Sequence, residues 1–373
     1  MTLKNGSEKP VNIGLLTLPF HANYGGIVQG VALTQFLEGE GYNVTLLERL
    51  RAATRLQILG GSILQRLPGQ NVQGLRGRWL RARPHHPFIN RYVPRRSGPL
   101  RDDAAMTQAV AKHNIGAVIV GSDQVWRARY GAPNSFLNRF LDFVKPADVR
   151  RIAYAASFGD DTWIYPDQTE AITRLLARFS AVSVREASGV VICSEVLDRP
   201  DTQLVLDPTF LISPDFWTSV VGPVRPAGGK TLTTYILDST RAAVKARDSL
   251  LASFGPDYKV QASGIAGSHA IYDIPTWLRF FRDADFVATD SFHGTVFSII
   301  FQKNFVSFVN KRRGADRFTT LLGMLGLSDR LIFPDEGQDG AHLIREPIDY
   351  GPVVERLREQ REKSVQFLRS ALS

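Results

Sequence analysis

The sequence is almost free of cysteine: Cys193 is the only one in 373 residues. An internal disulfide is impossible, a cysteine-based zinc site is excluded, and the usage fits a reducing compartment. The seven histidines form no HxH or HExxH spacing, so no metal site is expected. His85 and His86 stand side by side in an arginine-rich stretch, where a surface position is expected. No window reaches the ~20 uninterrupted apolar residues of a membrane span. The best candidate, 286–309, is broken by Asp290, His293, Gln302 and Lys303 and reads instead as strand, helix and strand inside a core. Residues 1–10 are polar and lack the apolar stretch of a secretory signal, so a soluble, cytoplasmic protein is expected. GxGxxG, Walker and GxSxG signatures are missing, as are repeats and low-complexity tracts.

Acidic residues are missing from one long segment. Residues 49–101 hold twelve arginines and no Asp or Glu. Taking those twelve from the net charge of +9 leaves −3, so the basic character is a local patch. Such a patch draws anionic surfaces: lipid head groups, nucleic acid or polyanionic glycan. Leu56, Ile58, Leu59, Ile63, Leu64 and Leu67 stud it, as a stretch resting on an anionic membrane requires, although Gly60 and Gly61 interrupt any helix. A solvated insertion is the plainer alternative.

What is present is an ordinary globular balance, 44% hydrophobic and 22% charged, sufficient for a sizeable core. Residues 11–18 (VNIGLLTL) read as a buried strand, 21–26 as a Gly-containing loop, 27–37 as a helix stopped by Gly39 and Gly41, and 42–47 as the next strand. Beyond the arginine-rich segment, strands are expected at 117–120, 152–155, 181–184 and 204–206, with a helix at 168–179. Gly222, Pro223, Pro226 and Gly228–Gly229 mark a linker. A second series follows at 231–237, 258–261, 286–288 and 305–309. The pattern predicts an α/β protein of two Rossmann-like domains facing a cleft, 1–221 (carrying the insertion 49–101) and 230–350, with a charged amphipathic helix at 352–373 able to cross back to the first domain.

Four groups of residues carry candidate chemistry. In 285–302 (DFVATDSFHGTVFSIIFQ) a strand runs into Asp290 and Ser291, either of which can cap a helix starting near His293 and Gly294. A helix start attracts anions, and an imidazole beside the bound anion can act as a general acid. A capping turn with a structural histidine explains the segment equally well. In 116–126 (GAVIVGSDQVW) Asp123 follows a strand end and is a candidate base for a sugar hydroxyl, with Gln124 and Trp126 shaping a carbohydrate surface; a simple cap is the competing role. In 21–26 (HANYGG), Asn23 and Tyr24 stand beside glycines that permit close backbone approach, to a ligand or only within a tight turn. Arg185, next to Glu186, and the cluster Lys311, Arg312, Arg313 and Arg317 offer the forked or point charges that bind carboxylate and phosphate. An Arg185–Glu186 ion pair and a solvated loop are the structural alternatives.

In order along the chain, NIGLLTL, NYGG, GVALTQFL, GSDQVW, AASFG, SVRE, LDPTFL and DSFHGTVFS resemble the polysaccharide pyruvyl transferase family over roughly residues 11–327. The resemblance implies a GT-B-like pair of Rossmann domains and phosphoenolpyruvate as donor substrate with no cofactor. It implies a sugar acceptor, often in a lipid-linked oligosaccharide repeat or a cell-wall polymer; with the basic segment 49–101 the expected location is cytoplasmic, peripheral on the inner face of the cell membrane. It assigns His293 as the acid near the donor and Arg185 to donor binding; Ser291, Gly294, Lys311, Arg313 and Arg317 complete the expected donor side. Asp123 is the expected base, with Asn23, Tyr24, Gln124 and Trp126 toward the acceptor. One departure stands out: better-studied members carry Arg-Leu-His-Gly where this chain has Ser291-Phe292-His293-Gly294, so Lys311, Arg313 or Arg317 must replace the missing guanidinium, or the donor differs. The competing enzyme class is a GT-B glycosyltransferase using a nucleotide-sugar. A nucleic-acid-binding protein lacks any helix-turn-helix, RRM or OB pattern in support, and no nucleic-acid partner is expected.

Overall fold

The computed structural model describes residues 11–21, 23–50, 81–127, 136–223, 228–262, 271–311 and 314–373. Most of the arginine-rich segment, and Arg312 and Arg313 with it, lie outside the described residues.

Two parallel sheets organise the chain. The first contains seven strands in the order β3-β2-β1-β4-β5-β6-β7. They run β1 Asn12–Leu16, β2 Asn43–Arg49, β3 Arg96–Leu100, β4 Ile115–Asp123, β5 Arg150–Ala156, β6 Ala181–Val184 and β7 Gln203–Leu204. The second contains five, β12-β11-β10-β8-β9, from β8 Lys230–Tyr235, β9 Tyr258–Ala262, β10 Phe286–Thr289, β11 Asn304–Phe308 and β12 Leu331–Ile332. Both are the doubly wound arrangement that the alternating strand and helix pattern predicts. In each, the order of connection reverses once, at β1/β4 and at β8/β10, and ligands of such sheets bind outside the strand ends at that reversal.

Every expected strand has a counterpart, and two differences elsewhere are instructive. The edge strand β3 lies inside the arginine-rich segment; with Gly98 and Pro99 in a run of five it carries no strand pattern, and its pairing with β2 supplies the order that its side chains do not. The helix expected at 27–37 starts three residues earlier, at Tyr24, and runs to Gly39. Nearly all of this helix is buried, as a helix apolar on every side must be. It packs on β2, β4 and the turn Pro208–Phe210, and meets the second-domain helix Ile274–Arg282.

His85 corrects another expectation. It is 0% exposed and sets its ring edge-on to Tyr24 at 5.1 Å, because the segment around it turns inward to cover the seam between the domains. Burial, partly offset by Asp273 and aided by His86, lowers its pKa to about 4, so the imidazole is neutral at physiological pH.

Two of the contacts that join the domains flank the cleft. Tyr24 binds the backbone of Tyr272. Across the cleft, Ala187 N donates to Thr320 Oγ1 and Ser188 N to Asp316 Oδ2.

The C-terminal helix Tyr350–Leu372 begins on the second domain and crosses back to the first. Tyr350 donates its hydroxyl to Lys303 O at 2.6 Å. Further along, Arg361 binds Leu211 O, Arg369 pairs with Glu40, and Arg150 holds the carbonyls of Leu372 and Ser373. The buried Ser364 hydroxyl accepts from Leu206 N at 3.0 Å and donates to Gln360 O at 2.8 Å. Replacing Ser364 with Ala strands the Leu206 N–H in an apolar seam. We expect a loss of about 1–3 kcal/mol, read as a lower urea midpoint with an unchanged far-ultraviolet spectrum; an unmoved midpoint would show that the helix docks independently of this bond.

Candidate active site

The ends of the two sheets enclose a cavity of roughly 250 Å³. Asn23, Asp123, Gln124 and Arg127 line it from the first domain. Asp238, Asp290, Ser291, Phe292, His293, Asn310 and Arg317 line it from the second.

His293 sits in the first turn of the helix Phe292–Ile300, and local sequence explains how it is held there. Ser291 is the cap: its backbone is extended and its Oγ accepts from Gly294 N at 3.3 Å. Asp290, the other cap candidate, instead accepts the backbone N–H groups of Leu237 and Asp238 and braces the loop after β8. Gly294 cannot carry a side chain, since a Cβ would lie 2.3 Å from Thr289 Oγ1. Gly25 has the same role toward the imidazole: a Cβ there would lie 2.1 Å from His293 Nδ1. The NYGG glycines were expected to admit a ligand or only to form a tight turn; at Gly25 the close approach is instead to a cavity-lining side chain from the other domain. His293 is 7% exposed, and its Nε2 lies 3.5 Å from Asp207 Oδ2, an ion-pair distance beyond that of a normal hydrogen bond.

Behind His293 lies a buried ionic cluster. Arg185, 2% exposed, donates from Nη2 to Asp123 Oδ1 and from Nη1 to Asp207 Oδ2, both at 2.9 Å. Its sequence neighbour Glu186 is a looser partner, 3.9 Å from Nε, and accepts instead from Phe158 N at 2.9 Å. Burial pushes the Asp207 carboxyl up, but the charge of His293 and then of Arg185 outweigh it and hold it well below the ordinary carboxylate range. Asp123 follows the same balance: burial raises it, while Arg185, His293 and Arg317 hold it low. Glu186 goes the other way, because its burial exceeds the pull of Arg185. The Phe292 ring faces two guanidinium groups, Arg185 at 4.7 Å and Arg317 at 5.7 Å, a geometry in which the ring quadrupole attracts both cations.

Asp123 itself has a φ of +67° at the end of β4, a left-handed conformation uncommon for a residue with a side chain. Two residues earlier, Gly121 has a φ of +133°, and a Cβ there would lie 2.0 Å from Tyr154 O. This turn aims the Asp123 Oδ2 toward Asn23 Nδ2, 3.4 Å away.

Several expected positions are corrected. Arg185 is absent from the cavity wall, because its guanidinium is spent on interior carboxylates. Trp126 is 0% exposed, stacked on Phe140 with its Nε1 donating to Arg139 O; the strand end turns it into the core, away from any sugar. Tyr24 is drawn to the second domain, stacked on Trp277 at 5.0 Å and 9°. Lys311 pairs with Glu336 and its side chain is 61% exposed. Gly294 acts through its missing side chain. Asn23, Gln124, Ser291, His293, Asp123 and Arg317 do meet at the cavity, whereas Arg313 lies outside the described residues. Asp207, Arg127 and the structural role of Gly25 were not legible as side-chain functions. Asp207 is the Asp of LDPTFL and Arg127 directly follows GSDQVW, so proximity to those motifs was the available signal. Gly159, the glycine of AASFG, holds Gln124 and Arg127 in place, since a Cβ would lie 2.9 Å from each side chain.

Among the described residues no group of three or more His, Cys, Asp or Glu side chains is arranged to hold a metal ion, and no helix is long and apolar enough to cross a membrane. Comparison with curated proteins found no significant match. Solved structures resemble the fold at low identity. A glycosyltransferase from Rickettsia africae aligns at a TM-score of 0.50 and 9% identity, over 98% of this chain and 97% of that one. A putative UDP-N-acetylglucosamine 2-epimerase from Listeria monocytogenes aligns at 0.51 and 12%, over 96% and 91%. The S. aureus MnaA–UDP co-structure aligns at 0.50 and 12%, over 97% of each. At these identities the likeness establishes a GT-B-like fold and leaves the chemistry to the side chains. Those side chains belong to a recognisable lineage: residues 23–312 match the polysaccharide pyruvyl transferase family, a span that contains the cavity wall from Asn23 to Asn310 and the whole of the buried ionic cluster, and the chain is a member of that family.

Proposed function

We propose that the cleft transfers the enolpyruvyl unit of phosphoenolpyruvate to a sugar of a polysaccharide repeat, forming a pyruvate ketal and releasing phosphate. The observation that carries this reading is an imidazole, His293, on the same cavity wall as two guanidinium-bearing residues, Arg127 and Arg317. Phosphoenolpyruvate presents a carboxylate and a phosphate. Arg127, Arg317 and the helix start at Phe292 supply the positive potential such a donor needs. Arg317 takes the place of the guanidinium missing at position 291: it lines the cavity and lies over the ring of Phe292.

In the reaction, His293 as imidazolium gives its proton to the methylene carbon, and the adjacent carbon becomes electrophilic. A sugar hydroxyl adds to that carbon while Asp123 takes its proton. Phosphate leaves, a neighbouring hydroxyl closes the ketal, and its proton departs with the phosphate. The proton on Asp123 returns to the imidazole through solvent. The depressed pKa of Asp123 keeps its carboxylate ionised at neutral pH. Asp207 orients the imidazole, and Arg185 holds Asp123 and Asp207 in register. Asn23 and Gln124 face the acceptor side.

Incubation with phosphoenolpyruvate and a panel of sugar acceptors should release phosphate and add the ketal mass to one acceptor. Phosphoenolpyruvate, and not UDP, should raise the melting temperature; the reverse would favour a nucleotide-sugar glycosyltransferase. His293→Ala should lose at least ~100-fold in turnover with the fold intact by circular dichroism, and near-normal turnover would remove His293 from the chemistry. Arg317→Ala should raise the KM for phosphoenolpyruvate by about 10- to 100-fold. Lys311→Ala, its surface control, should stay within about twofold; equal effects would place the donor elsewhere.

The described end of the basic segment keeps Arg83, Arg91, Arg95 and Arg96 at the surface, which supports contact with an anionic membrane bearing a lipid-linked acceptor. Co-sedimentation should then require anionic lipid and weaken with salt, whereas sedimentation indifferent to lipid charge would end this part of the reading.

A further inference from the structure

Three consecutive residues at the start of the helix Tyr24–Gly39 address three parts of the site. Asn23 reaches toward Asp123. Tyr24 crosses to the second domain: its ring stacks on Trp277, and its hydroxyl donates to Tyr272 O at 3.1 Å and accepts from Tyr272 N at 3.0 Å. Gly25 presses its backbone against the His293 imidazole. His293 belongs to the second domain, while the groups that restrain its ring, Gly25 and Asp207, belong to the first. The position of the imidazole therefore depends on how the domains are held together, and domains of one chain move relative to each other unless an interface prevents it.

We propose that Tyr24 is a positioning residue for His293: by gripping Trp277 and the Tyr272 backbone it keeps the cleft shut and holds Gly25 and Asp207 against the imidazole. The inference rests on the reading of His293 as the acid. It separates two functions within the NYGG turn, Tyr24 as the grip on the second domain and Gly25 as the surface that the imidazole rests on. His85, packed edge-on against Tyr24, backs the grip. Besides Asp207 the imidazole faces the Phe292 ring of its own helix, 5.4 Å between centroids, and its charge bears on Asp123 of the first domain, so a shift of the seam moves both carboxylates relative to the ring.

The test uses Tyr24→Phe, which keeps the ring and removes both hydroxyl bonds, and Tyr24→Ala, which removes the stack as well. Hydrogen exchange at the Tyr272 amide should rise at least about tenfold in Tyr24→Phe. The NMR titration of the His293 ring, assigned with His293→Gln, should move its midpoint in Tyr24→Ala. There kcat/KM for phosphoenolpyruvate should fall about tenfold or more, and Tyr24→Phe should recover part of the loss. A His293 titration in both variants that superimposes on the parent's would overturn the proposal, as would an unchanged Tyr272 amide. If the parent protein releases no phosphate from phosphoenolpyruvate, the reaction reading fails on its own, while exchange and titration still judge the grip.

Discussion

A guanidinium shut away from water, Arg185 between Asp123 and Asp207, is the constraint on which the site depends. A buried cation is tolerable only with carboxylates at hydrogen-bond distance, and removing one member leaves an uncompensated charge at a cost of about 3–5 kcal/mol. The three groups come from the ends of β4, β6 and β7 or just beyond them, so satisfying Arg185 sets the relative height of those strand ends. His293 arrives from the other sheet and completes the cluster through Asp207. The same pair of carboxylates thus balances a structural cation on one side and faces the His293 imidazole on the other. Phe292 extends the arrangement outward, with Arg185 behind its ring and Arg317 at the cavity.

The seam between the domains is built around that cluster. An aromatic contact at Tyr24 and Trp277 closes one flank, and the bonds from Ala187 and Ser188 to Thr320 and Asp316 close the other. The C-terminal helix spans both domains and limits how far they separate. A GT-B-like frame of this kind serves enzymes of different chemistry, so what distinguishes this chain is the set of groups at the switch points: an imidazole with two cavity-lining arginines, Arg127 and Arg317, beside a helix that starts with Ser291 as its cap.

Much of the architecture was legible in the sequence, because buried parallel strands are short apolar runs and the alternation of strand and helix admits few topologies. The two sheets and the terminal helix follow from that pattern. Edge strand β3 did not, since a strand paired on one side can tolerate Gly98 and Pro99. His85 did not, since its burial depends on a seam formed by residues far away in the chain, Tyr24 and, behind it, Trp277. The early start of the helix at Tyr24 was hidden by two glycines, which are poor helix formers; the first of them, Gly25, leaves the room that the His293 ring fills.

By itself the sequence determined the fold class, the strand ends where polar residues gather, and the candidacy of Asp123, His293 and Arg317, because periodicity and turn chemistry are local properties. Only the tertiary structure decided which of the gathered groups face the cavity. It turned Trp126 and Arg185 inward, sent Tyr24 to the other domain, joined Asp207 to His293 and left Lys311 at the surface. Those outcomes rest on charge compensation and steric fit between segments far apart in the chain, and neither is written in the spacing of any one of them.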